Sequence, residues 1–121
     1  MQKQNSTPPS MQAAQRAPAQ APMSAALQQL WIRFLPEMRR RVATIEIATC
    51  SHGTCTAEER NAAHQAAHKL AGSLGTFGAM RGTEIARRLE EYFAHEPVAE
   101  EASEMLLLTE ELRGIVGDEE S

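Results

Sequence analysis

The chain has 121 residues, 42% of them apolar but only 4% aromatic, and a formal net charge of -4. That length suffices for one domain with a modest core and excludes two. An acidic chain without a block of Lys and Arg is a poor nucleic-acid binder, and a composition rich in Ala, Leu and Glu favours helices over sheets.

The charge is unevenly spread. Residues 30–89 carry nine basic and five acidic side chains, whereas residues 90–121 carry one basic and eleven acidic. A mildly basic middle suits an acidic protein partner or a phosphoryl group. Two cysteines do not make a disulfide framework. With no apolar leader and no run of membrane-spanning length, the chain reads as a cytoplasmic protein that does not insert into membranes.

Residues 1–23 are rich in Gln, Ala, Pro and Ser and show no apolar periodicity, so they are expected to form a disordered tail or linker. Ser24 is the expected N-cap of a first helix running to about Thr49. Leu27, Leu30, Trp31, Phe34, Met38, Val42 and Ile45 supply its apolar stripe. Pro36 removes one backbone bond, which predicts a kink, or a short extra N-terminal helix followed by a longer one. Residues 50–55 read as a loop. Thr56 and Glu59 form a capping box for a second helix that ends near Phe77 and Gly78. A third helix is predicted from about Met80 to Ala94. Pro97 would open a fourth, with Val98, Ala102, Met105, Leu106, Thr109 and Leu112 facing inward. The pattern predicts an all-α, antiparallel up-down four-helix bundle over residues 24–116, followed by an acidic tail at 117–121.

The second helix has two faces. Leu70, Leu74 and Phe77 recur at the spacing of a buried stripe. At about 100° per residue, His68 lies on roughly the opposite side. Its neighbours there are Asn61, His64, Gln65, Gly72 and Gly75, all polar or tiny. A glycine inside a helix costs about 0.5–1 kcal/mol relative to alanine, so Gly72 and Gly75 require a reason. Close approach of something large to His68 is that reason. A neutral imidazole is a good nucleophile near pH 7 and can accept a phosphoryl group, with Lys69 and Arg60 near enough to screen the added charge. The face has no nucleotide loop, so it could receive and hand on a phosphoryl group without drawing one from ATP.

Ala67-His68-x-Leu70-x-Gly72-Ser73, then Gly75-Thr76-Phe77-Gly78, and finally Ala86-x-x-Leu89-Glu90 resemble the signature of histidine-containing phosphotransfer (HPt) domains. The resemblance spans about residues 24–116. It implies that His68 is the phosphorylated residue and that Gly72 gives a partner access to it. The implied partner is the receiver domain of a response regulator or hybrid histidine kinase, which brings the aspartate and Mg²⁺; the chain itself holds no cofactor. His64, Gln65, Lys69 and Gly72 would support the nucleophile, and Asn61 and Gly75 would meet the partner. Members of the family often carry lysine at the position of Ala71, and Lys69 is the expected substitute cation. Gly82 stands where a leucine is common, which predicts a looser start to the third helix.

Two metal readings compete. His64 and His68 at i, i+4 could share a metal, but Asn61 and Gln65 are poor further ligands. Cys50, His52 and Cys55 offer three soft ligands with no fourth nearby, so a plain loop and no metal site is expected. A passive helical adaptor that binds a partner through the same face without phosphotransfer is the alternative from another class.

Overall fold

The computed structural model describes residues 23–49, 55–96 and 98–117. The expected tail at 1–23, apart from Met23, lies outside the described residues. So do the Cys50 and His52 positions, Pro97, and residues 118–121 of the acidic tail.

Four helices form the domain: α1 (Ala25–Thr49), α2 (Ala57–Thr76), α3 (Met80–Phe93) and α4 (Ala102–Val116). Each packs against two neighbours, in the ring α1–α2–α3–α4. Their directions follow from paired contacts. Along α1 and α4, Arg39 Nε donates to the Val116 carbonyl at 2.8 Å while Arg113 grips Glu46 through two bonds of 2.8 and 3.0 Å. Rising numbers on one helix thus meet falling numbers on the other. Along α3 and α4, Arg81 binds both carboxylate oxygens of Glu111 and Arg88 reaches Glu101. The bundle is antiparallel throughout, as the pattern predicts.

Its core is mostly aliphatic. Met38, Val42 and Ile45 of α1, Leu70 and Leu74 of α2, Ile85, Leu89 and Phe93 of α3, and Met105 and Leu112 of α4 are all buried. Each such side chain contributes about 1.5–3 kcal/mol of apolar burial. The buried Thr109 hydroxyl donates to the Met105 carbonyl at 2.7 Å, so the core contains no stranded donor there.

Helix starts match their sequence signals in α1 and α2. Ser24 Oγ accepts from the Leu27 amide at 3.1 Å. Thr56 Oγ1 accepts from the Glu59 amide at 3.0 Å while Glu59 Oε1 accepts from the Thr56 amide at 2.9 Å, a complete capping box. α1 runs unbroken through Pro36 instead of dividing there. The carbonyl deprived of its partner is that of Ile32, which is 60% exposed, so water can take the place of the missing donor.

Three expectations change. The first turns of the α1 stripe are not buried: Leu30 is 41% and Phe34 47% exposed. α1 is the longest helix, and around its N-terminal half the aromatic contacts are to one residue, Phe77, whose ring meets Trp31 and Phe34 edge-on at 5.3 and 5.8 Å. α4 starts later than predicted, after a 3₁₀ turn at Ala99–Glu101, and Val98 is exposed. The Val98 carbonyl accepts from the Glu101 amide and the Tyr92 hydroxyl, which holds Val98 extended and away from the core. The start of α3 is close-packed, not loose. Gly82 is buried, and a Cβ there would lie 3.0 Å from Leu74 Cδ1, so the glycine lets α3 press against α2.

The α2–α3 connection sets the register of the site. Gly78 has φ +74°, the left-handed conformation suited to glycine. The Ala79 amide reaches back to the Leu74 carbonyl at 2.9 Å and the Gly78 amide to Gly75 at 3.1 Å, the paired bonds of a Schellman cap. α2 and α3 thus form a hairpin about Ala79.

Candidate functional site

His68 projects from the middle of α2 with 70% of its side chain exposed. Its helix is anchored from beneath, since Ala67, Leu70, Ala71 and Leu74 are buried. The ring does not swing freely. Nδ1 lies 2.9 Å from Glu90 Oε2 on α3. A carboxylate accepts only, so this contact places a proton on Nδ1, and in the neutral ring that leaves the lone pair on Nε2.

His64, Gln65, Lys69 and Glu90 line a hollow with His68. The structure therefore brings together four of the residues singled out in the sequence and adds a fifth. Asn61 is exposed nearly two turns N-terminal on α2 and does not line the hollow. On α1, Glu37 has its carboxyl held below the usual range, first by the Arg40 hydrogen bond and to a lesser degree by the charges of Arg40, Arg41 and Lys69. Gln65 shares the hollow, but the hydrogen bond to the ring comes from the neighbouring helix.

Gly72, one turn beyond His68, is exposed, and a Cβ placed on it would meet nothing within 4 Å. At Gly75 a Cβ would find Thr83 Oγ1 at 3.8 Å, an ordinary contact. Neither glycine is required by packing within the chain, in contrast to Gly82. The space C-terminal to the imidazole is open.

Glu90 was legible in the motif but not as a partner of the ring. The hairpin shows how it could have been found. Glu90 lies eleven residues after Ala79 and His68 eleven before it, so the two face each other across the helix pair. Gly75 and Thr83, four residues to either side, obey the same rule.

Among the described residues, no group of three or more His, Cys, Asp or Glu side chains is placed to hold a metal ion. His64 and His68 thus lack the further ligands of a closed site. Of the Cys-x-His-x-x-Cys cluster, Cys55 is described; burial pushes its thiol up from the ordinary range.

The imidazole thus has one nitrogen tied to a carboxylate while most of its side chain stays exposed. The Hpt domain family model matches residues 29–117, most of the chain. The chain belongs to the Hpt domain family. HPt domains are phosphotransfer modules of two-component systems, not kinases, and they work with receiver domains. No curated protein and no solved structure matches this HPt domain. None of its described helices is long and apolar enough to cross a membrane.

Proposed function

We propose that this HPt domain is a phosphorelay intermediate that accepts a phosphoryl group on His68 from the aspartyl phosphate of one receiver and passes it to another. The observation that carries this reading is the His68–Glu90 hydrogen bond at an exposed ring. With the proton on Nδ1, the Nε2 lone pair attacks phosphorus. The Nε2–P bond forms as the P–O bond to the aspartate breaks, and the carboxylate leaves with that electron pair. The positive charge that develops on the ring is offset by Glu90. No proton has to leave Nε2, so no general base is needed, and the reverse sequence returns the group to a receiver aspartate. The receiver supplies its own Mg²⁺ in this scheme, and Gly72 leaves the room that its active-site edge requires.

The test is to incubate the protein with a phosphorylated receiver and Mg²⁺ and follow the label. An acid-labile, base-stable phosphate that His68→Gln abolishes is the expected result. If the wild type takes no label from any receiver of the same source, the phosphotransfer reading fails and a passive helical adaptor takes its place.

A further inference from the structure

The hairpin register carries one step more. Arg87 lies eight residues after Ala79 and Ala71 eight before it, so the rule that pairs His68 with Glu90 and Gly75 with Thr83 puts Arg87 across from Ala71, between those two pairs. On α3, Arg87 lies about 60° and one turn from Glu90, at the level of the stretch of α2 between His68 and Gly75. It is exposed.

Its electrostatic situation differs from that of its neighbours. Arg81 is held by Glu111 and Glu84, and Arg88 by Glu101 and Glu104. Among the described residues Arg87 forms no ion pair, although Glu84, Glu90 and Glu91 all stand within one turn of it. Glu84 engages Arg81, Glu90 engages His68, and Glu91 makes no bond to Arg87, for which an acid C-terminal to the base is the weaker helical arrangement. Lys69, the other cation beside the ring, lines the hollow from α2. The α3 side of the imidazole thus has one long cation with its guanidinium uncommitted.

We propose that Arg87 is the cation that meets the transferring phosphoryl group, and so does from α3 what Ala71 cannot do from α2. This rests on the reading of His68 as the phosphoryl acceptor. The bonds made and broken are those already described; Arg87 adds two N–H donors toward the equatorial phosphoryl oxygens, which a planar guanidinium can supply as a fork. Helices packed 8–10 Å apart leave a gap from α3 to a phosphoryl on Nε2 that the longest of the cationic side chains can cross.

The test compares wild type, Arg87→Gln, Arg87→Lys and Arg88→Gln in single-turnover transfer from a phosphorylated receiver with Mg²⁺, across receiver concentrations. Arg87→Gln should lower the rate at saturating receiver by about tenfold or more, with its melting temperature unchanged because the side chain is exposed and forms no ion pair among the described residues. Arg87→Lys should keep most of the rate. Arg88→Gln should transfer at the wild-type rate. If Arg87→Gln reaches the wild-type rate at saturation, whether or not it binds the receiver more weakly, the assignment is wrong while the reading of His68 stands. If the wild type itself never labels, the fault lies in that reading and not in Arg87.

Discussion

Gly72 offers the sharpest test, because stability and transfer should move in opposite directions. It sits well inside α2, and a Cβ placed there would touch nothing within 4 Å. Glycine is about 0.8–1.0 kcal/mol worse than alanine in a helix interior. With no clash to set against that, Gly72→Ala should stabilise the domain by about 1 kcal/mol. For a domain of this size, that raises the melting temperature by roughly 4–8 °C. Leucine has nearly the helix propensity of alanine, so Gly72→Leu should also be at least as stable as wild type. Transfer should behave otherwise. A leucine at this position fills the space one turn from Nε2, where the receiver edge must come, and a misplacement of about 1 Å at a reacting centre can cost on the order of 100-fold. Thermal melts followed by circular dichroism, together with single-turnover labelling from a phosphorylated receiver, measure both quantities. A Gly72→Ala variant less stable than wild type would show that the glycine serves the fold. A Gly72→Leu variant with undiminished transfer would refute the claim that the cleared face exists for access.

Three further outcomes follow from the geometry. Glu90→Ala removes the acceptor from Nδ1, and the loss of one hydrogen bond worth about 0.5–1.5 kcal/mol should slow transfer by roughly 2- to 10-fold; imidazole ¹⁵N shifts should show the Nδ1–H tautomer losing population, and an unchanged tautomer would count against Glu90 as the orienting group. Gly82→Leu should destabilise the bundle by about 1–3 kcal/mol through overpacking against Leu74, and Leu74→Ala in the same chain should recover part of that loss in a urea melt. The Arg81 hydrogen bonds hold the Glu111 carboxyl below its ordinary value of 4.5, so the stability they contribute is present above about pH 4.5 and is lost as pH falls through the lowered folded value. Glu111→Gln should therefore flatten the fall of stability in acid, and an unaltered acid limb would remove that pair from the account.

The linear pattern of residues was enough to determine the fold class, four helices, the capping box at Thr56 and Glu59, and a histidine on the polar face of α2 with glycines beside it. Those features depend on periodicity and on contacts within three or four residues, which a single strip of sequence contains. The HPt signature added family membership on the same strip and, with it, the role proposed for His68. What required the tertiary structure was everything that passes between helices. The carboxylate on the ring is twenty-two residues away, and among the described residues the N-terminal part of the α1 stripe stays partly exposed. Glycines in α2 and α3 that look alike in sequence differ in function, since Gly82 admits a neighbouring leucine and Gly72 faces nothing. The link between the two levels is the left-handed turn at Gly78. One local backbone conformation sets the hairpin register, and the register decides which side chains meet at His68.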